Sequence, residues 1–406
     1  MSDSPAQMSR NSNLQAQCPG VLVLVSSLNF GGAEKHAVSL VNSLDAFRYR
    51  LFLCHIKSAG TLLRELDARQ ATGVFTLSAA DGVDLAAVRR LADRLERDRI
   101  DVVICTNGFS VIYALAASAF ASIKPKIIGV FHTTVVNGMQ SRLRMALHKH
   151  AFRRCDLLVY VSQAQQRWWA ARGLRARREA VIQNGIDVDH FTSRSITEDR
   201  AAVRATLGFE ARDYVVGICA ALRREKAHGD LLQAIARLRA TDSSVKLMII
   251  GDGAERAQIE ASIQVLGLQD AAVITGYRQD VRPFIEACDV MVLSSHAVET
   301  FSIAALEAMA LGKPLVLTRI GGAEEQVIPG KNGYLYEPGD IDALTHHLRQ
   351  LSDPQCRIEM GACGARFVRE RFTVDKMAQA FSEAIDALTT HEAPNGRAMP
   401  MPRLAK

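Results

Sequence analysis

Ser295-His-Ala-Val-Glu299-Thr-Phe-Ser-Ile-Ala-Ala-Leu-Glu307-Ala-Met-Ala-Leu-Gly312 is the stretch whose reading decides the fold, with Glu299 and Glu307 eight positions apart. Just upstream, Val290, Met291, Val292 and Leu293 follow one another without a polar break, the pattern of a strand buried on both faces. Ile303 to Leu311 is Ala-rich with helical spacing, so the strand turns into a helix near Thr300. A helix N-terminus there presents free backbone N–H groups and the positive end of a dipole, where a diphosphate would bind. Glu299 in the turn would then meet sugar hydroxyls and Glu307, two turns along, a ribose.

Working outward, strand-like runs alternate with helical patterns along the whole chain, which implies parallel sheets covered by helices on both faces. The first half carries predicted strands at Val21–Ser26, Leu51–Ile56, Val102–Thr106, Lys126–Phe131, Leu157–Val161 and Glu179–Gln183. The second carries Tyr214–Ala220, Lys246–Ile250, Ala272–Thr275, Val290–Leu293 and Leu315–Thr318. Two doubly wound α/β domains follow, residues 20–190 and 191–372, joined between Asn184 and Arg200, where turn residues cluster. A ligand belongs at the carboxyl ends of the strands, in a cleft between the two mouths. Residues 373–390 read as an amphipathic helix, with Met377, Phe381, Ile385 and Leu388 spaced by three or four, and 1–19 and 391–406 as loose tails.

The 406 residues suffice for two full cores, and 48% hydrophobic with 23% charged residues is the composition of a globular protein. The N-terminal stretch lacks the basic start and apolar run of a signal peptide, and Val111–Ile123 is too short and too rich in Ala and Ser to span a membrane. The expectation is a protein retained in the cytoplasm. Eight cysteines without a Cys-x-x-Cys pair argue for reduced thiols rather than a zinc site or disulfide framework. Asp187-Val-Asp189 has the Asp-x-Asp form of some metal sites but lies in a turn context, and reads as structural; no metal or other cofactor is expected.

From Glu299 to Val316 the chain resembles the Glu-x7-Glu signature of family-4 retaining glycosyltransferases of the GT-B fold, in which two Rossmann-like domains face each other across a cleft. Ser302 stands where that family has glycine. The resemblance implies a donor diphosphate at Phe301, Ser302, Ile303 and Ala304, the ribose on Glu307 and the transferred sugar on Glu299 and His132, the histidine ending Val130-Phe131-His132. It places the Gly31-Gly32-Ala-Glu loop opposite the diphosphate and the acceptor, Gly251-Asp-Gly253 beneath the cleft, and Gly276-Tyr277-Arg278 against the base. A Gly321-Gly322-x-x-Glu325 loop also fits, and the last helix would cross back onto the N-terminal domain. The family pattern has an arginine five positions before the lysine; here that position is Ala221, and Lys226 and Arg223 are the cations for the leaving diphosphate.

Between Met139 and Arg178 ten Lys or Arg face a single acid, Asp156, and Trp168-Trp169 lies among them. One-sign charge with an aromatic anchor suggests an anionic membrane surface on the cytoplasmic side, with access to a lipid-linked acceptor. No nucleic-acid motif is present. The expectation is an enzyme moving a hexose from a nucleoside diphosphate sugar to a glycan or lipid-linked acceptor in cell-surface polysaccharide or glycolipid synthesis. The alternatives are a sugar-nucleotide epimerase of the same architecture and a non-catalytic nucleotide-sugar-binding subunit.

Overall fold

The computed structural model describes residues 18–390 except 30, 58–59, 133–138, 193–199 and 298, with the side chains of 139–144 also outside it. The expected tails, apart from Cys18 and Pro19, and residues 193–199 of the expected linker fall outside the described residues.

Seven parallel strands form the first sheet: β1 (Gly20–Val25), β2 (Arg50–His55), β3 (Gly73–Thr76), β4 (Ile100–Cys105), β5 (Lys126–Phe131), β6 (Leu157–Tyr160) and β7 (Glu179–Val181), in the order β3-β2-β1-β4-β5-β6-β7. Six more form the second: β8 (Tyr214–Cys219), β9 (Val245–Ile250), β10 (Ala272–Gly276), β11 (Val290–Leu293), β12 (Leu315–Thr318) and β13 (Gly333–Tyr336), in the order β10-β9-β8-β11-β12-β13. Both orders reverse beside the first strand of the domain, between β1 and β4 and between β8 and β11, so each sheet has a crevice at its carboxyl edge. The central strands are buried throughout, as their unbroken apolar runs require.

Two strands escaped the sequence reading. Both β3 and β13 are four-residue edge strands, and β3 alternates between half-buried and exposed residues, so neither offers a continuous apolar run.

The final helix, Val374–Thr389, buries Met377, Phe381, Ile385 and Leu388. These side chains join one apolar cluster that also contains Val38 and Val41 of the N-terminal domain and Leu306 and Met309 of the C-terminal one. At its far end Asp386 accepts from Tyr49 Oη at 2.8 Å and pairs with Arg48 at 2.6 Å. At its start Ile186 and Phe372–Val374 exchange backbone hydrogen bonds, Ile186 N to Phe372 O at 3.0 Å and Val374 N to Ile186 O at 2.8 Å.

The tryptophan pair expected as a surface anchor is placed otherwise. Trp169 is buried, its ring 4.8 Å from that of Phe131, and Trp168 is half-buried beneath the Arg172 guanidinium at 3.6 Å. Helical spacing turns one ring of an adjacent pair inward, and this ring fills the N-terminal core. No helix among the described residues is long and apolar enough to cross a membrane.

Candidate functional site

The signature stretch folds as strand, turn and helix, with β11 followed by the helix Ile303–Ala310. Ser302 is its N-cap, with φ −73° and its hydroxyl accepting from Ala305 N at 3.2 Å. The serine therefore sits without strain where the family has glycine, and it supplies the cap a glycine lacks. Its own N–H is donated to Gln326 Oε1 at 3.1 Å, so the first-turn N–H groups that the helix itself leaves unpaired beside the cavity are those of Ile303 and Ala304, both of which line it. Phe301 is buried against Phe372, with its carbonyl accepting from Asn184 Nδ2 at 2.9 Å.

Behind this turn runs the Gly321–Gly322 loop. Gly321 has φ +55°, and a Cβ there would lie 1.7 Å from the Glu299 carbonyl oxygen, so only glycine lets the loop support the glutamate so closely. Glu325 does not point into the cavity. Its carboxylate crosses to the other domain and accepts from the N–H groups of Gln163 (3.1 Å) and Ala164 (2.9 Å), which open the helix Gln163–Ala170, and from Gln183 Nε2 (2.7 Å).

The turn after β8 provides the cations. Lys226 Nζ meets Glu299 Oε2 at 2.6 Å, and Ser295 Oγ donates to the same oxygen at 3.3 Å, so both strand-end loops present their charged groups together. Arg223 is exposed and lines two adjoining cavities. The smaller, of about 350 Å³, is walled by Gly251, Gly253, Tyr277 and Arg278. A Cβ on Gly253 would meet Leu222 O at 2.5 Å, and the Arg278 guanidinium lies over the Phe284 ring at 4.6 Å.

The larger cavity, of about 550 Å³, brings Gly31, Gly32, His132, Arg223, Lys226, Glu299, Phe301, Ser302, Ile303, Ala304 and Glu307 together from both domains. Gly31 is extended and Gly32 opens the helix Gly32–Ser43, so their contribution is space rather than unusual backbone. Among the other lining residues, Lys35, Asn107, Asn184 and Cys219 were not read as site residues from the sequence. Lys35 follows the glycine loop by a few residues, but nothing local shows that it faces the other domain.

His36, on the same helix, lies behind His132 with ring centroids 4.9 Å apart. Because Asn184 spends its amide N–H on Phe301, its Oδ1 accepts, and His36 Nδ1 is the donor at 3.1 Å. Burial lowers the His36 imidazole to about 4, and burial and then His36 hold His132 well below the usual histidine value. Both are neutral at pH 7. On the glycine loop, burial raises the Glu34 carboxyl, opposed by its own backbone N–H and by Arg223. Asp187 Oδ1 accepts from the N–H groups of Asp189 (3.0 Å) and His190 (2.9 Å), the turn-forming role read from the sequence.

Residues 199–361 match the family model for glycosyl transferases group 1, and residues 30–190 that for glycosyltransferase family 4. The chain is similar to N-acetyl-alpha-D-glucosaminyl L-malate synthase of Bacillus anthracis, 25% identical over 301 residues, 73% of this chain and 77% of the relative. It is also similar to D-inositol 3-phosphate glycosyltransferase of Corynebacterium urealyticum, 34% identical over 223 residues, 52% of each. Among solved structures it is similar to Anabaena Alr3699/HepE in complex with UDP and glucose, with TM-score 0.79 and 26% identity over 90% of this chain and 99% of that one. The fold of sucrose-phosphate synthase from Thermosynechococcus elongatus is likewise similar, TM-score 0.79 at 19% identity over 92% and 99%. With paired parallel-sheet domains, a signature turn between them and both halves matched, the chain belongs to the family-4 glycosyltransferases of GT-B fold.

Proposed function

We propose that the protein transfers a hexose from a nucleoside diphosphate sugar to a hydroxyl of a glycan or lipid-linked acceptor, with retention of anomeric configuration, in polysaccharide or glycolipid synthesis. The observation that carries this reading is the cavity between the two sheets, where Lys226, Arg223 and the N-terminus of Ile303–Ala310 face one side and His132 the other. A diphosphate on the first group would place its sugar between Glu299 and His132, the nucleoside reaching Glu307 and then Tyr277 and Arg278. UDP is the first base to test, since the Anabaena neighbour was solved with it.

In this reading the anomeric C–O bond breaks with its electrons passing to the diphosphate oxygen, which Lys226, Arg223 and the helix N–H groups stabilise as charge develops. The acceptor oxygen bonds to the anomeric carbon on the same face, and its proton leaves with the departing phosphate. Neutral His132 accepts or donates a hydrogen bond to the sugar without competing for the phosphate's charge. Fixed cations serve where other transferases use a metal, so turnover should survive excess EDTA; loss with chelator and rescue by Mn²⁺ would overturn that part.

Incubation with a panel of UDP-, GDP- and ADP-sugars and candidate acceptors tests the whole. A glycoside with the donor's anomeric configuration by NMR supports it. An epimerised nucleotide sugar, or binding without turnover, would replace it with the epimerase or the non-catalytic subunit.

A membrane-linked acceptor is supported by charge alone. Lys126, Arg153, Arg154, Arg177 and Arg178 surround one depression with Asp156 as its only acid, and the Asp156 carboxylate already accepts from Ile127 N at 2.8 Å. Attraction to anionic lipid is about 1 kcal/mol per basic residue and is screened by salt, so flotation with anionic vesicles should be salt-sensitive and weaker in a triple Ser variant of Arg175, Arg177 and Arg178. A protein that never floats at low salt favours a soluble acceptor.

A further inference from the structure

Glu307 raises a problem that its own domain does not solve. Its side chain is only 4% exposed, and a buried carboxylate is costly without a counter-charge. The nearby cation of the C-terminal domain, Lys226, is committed to Glu299 at 2.6 Å. The partner comes instead from across the cleft: Lys35 Nζ, on the first turn of Gly32–Ser43, lies 2.5 Å from Glu307 Oε1. Glu307 Oε2 has no hydrogen-bond partner among the described residues, and the residue lines the larger cavity.

We propose that Lys35 is a positioning residue of the donor site, holding one Glu307 oxygen so that the other is aimed at the ribose hydroxyls, which makes the nucleoside subsite a product of both domains. The inference rests on the proposed donor reading. The arrangement gives a carboxylate one fixed oxygen and one free one, as a residue must have if it is to accept from a ligand hydroxyl without rotating away. It also gives the N-terminal wall a contact with the donor's nucleoside half, so that closing the cleft and completing the subsite are the same event.

The charge state of the pair agrees. Burial alone would lower the Lys35 ammonium, but the Glu307 carboxylate outweighs it with help from Cys219 and Glu65, and Lys35 is raised. The other titratable groups that face the pair are Glu65 at the end of Thr61–Glu65, Cys219 at the end of β8, and His190. Burial pushes the Cys219 thiol up to about 12, so it is neutral at pH 7, and burial lowers His190, so it is neutral there as well. Removing the Lys35 charge leaves the buried Glu307 carboxylate beside Glu65 without a counter-charge, a cost that taking up a proton would relieve.

The experiment is UDP binding by calorimetry from about pH 6 to about pH 9, a span that covers the titration of buried carboxyls in general, for the wild-type protein, Lys35→Met, Lys35→Arg and the double variant Lys35→Met/Glu307→Gln. Folding is checked by thermal unfolding, and each affinity is compared with wild type at the same pH. Lys35→Met should bind roughly 10- to 100-fold more weakly, as for a lost charge-assisted hydrogen bond, with the deficit growing as pH falls. Lys35→Arg should restore the affinity and the wild-type profile, and the double variant should be weak at every pH without the added slope. A merely structural lysine would shift stability without that slope. Lys35→Met binding as tightly as wild type or tighter overturns the inference, marking the pair as incidental or as a lock the donor displaces. A slope that persists in the double variant also overturns it, by assigning the titration to Glu65. If the wild-type protein binds no UDP, GDP or ADP at all, the donor reading fails first and this inference with it, an outcome distinct from the other two.

Discussion

The two walls of the cleft are built on opposite electrostatic plans. The C-terminal wall pairs full charges, Lys226 with Glu299, on turns that directly follow β8 and β11. The N-terminal wall presents the imidazole of His132, held neutral by burial and backed by His36, which is also neutral and donates to the amide oxygen of Asn184. The difference follows from what each would face. A diphosphate needs fixed positive charge that loses no energy reorganising, whereas a hexose and an acceptor hydroxyl need hydrogen-bonding groups that do not compete for the phosphate. Two ionisable side chains also stand on that wall, Glu34 beside Arg223 and Lys35, and Lys35 is spent on the opposite wall's Glu307.

The largest effect should come from breaking the charged wall. Lys226→Ala is expected to lower kcat by ~10²–10³-fold, the usual loss on removing one electrostatic stabiliser of a leaving group. Steady-state kinetics with saturating donor checks it, and an unchanged kcat would mean that Lys226 serves only to hold Glu299.

The neutral wall should show itself in acid. His36 falls from an ordinary 6.5 to about 4 in the folded chain, so the unfolded chain binds the proton more readily. The stability this burial implies is therefore complete above about pH 6.5 and lost as pH drops to about 4, amounting to roughly 3 kcal/mol at most for one such group. Denaturant unfolding across that window should show the decline, and His36→Gln should flatten it. His132, held well below its usual value, and His228 of the C-terminal domain, lowered to about 4 by burial and then by Lys226, would account for the decline that His36→Gln leaves. A decline of the same size in the variant would clear His36.

Glu307→Ala should weaken free nucleotide diphosphate and the full donor alike, by about 1.5–3 kcal/mol for a charge-assisted hydrogen bond. Equal calorimetric affinities for the folded variant and wild type would end the ribose assignment.

The smallest effect concerns strain. Ala227, between Lys226 and His228, has φ +47° and ψ +46°, a left-handed conformation that costs an L-residue about 1–2 kcal/mol. Ala227→Gly removes that cost but loosens the unfolded chain, for a net gain of about 0.5–1 kcal/mol in unfolding free energy. A lowered Tm would show that the methyl group packs usefully. Among the described residues the other non-glycine positions at positive φ are Ser78 and Arg99, neither adjacent to a residue that lines either cavity, so the strained residue beside the site belongs to the charged wall.

How much of this was legible depended on locality. The signature turn could be read because strand, cap, glutamate and helix follow one another within a few residues, and Lys226 because it sits on the turn after an apolar strand. Trp169 was misread because an aromatic among arginines looks the same in sequence whether its ring faces water or Phe131. Glu325 was grouped with the site because its loop does support Glu299, yet its carboxylate caps a helix of the other domain.

The sequence by itself determined the two parallel sheets, the place where each opens, and the C-terminal wall, since apolar runs, helical periods and turn chemistry act over a few residues and leave local traces. Only the tertiary structure decided which side chains meet across the cleft. Lys35 and Glu307 are separated by 272 positions, and His36 and Asn184 by 148, and no period or motif connects them. Their pairing arises because the final helix and the Asn184–Phe301 contact bring the two domains face to face, and a buried charge or amide is stable only beside a partner that completes it.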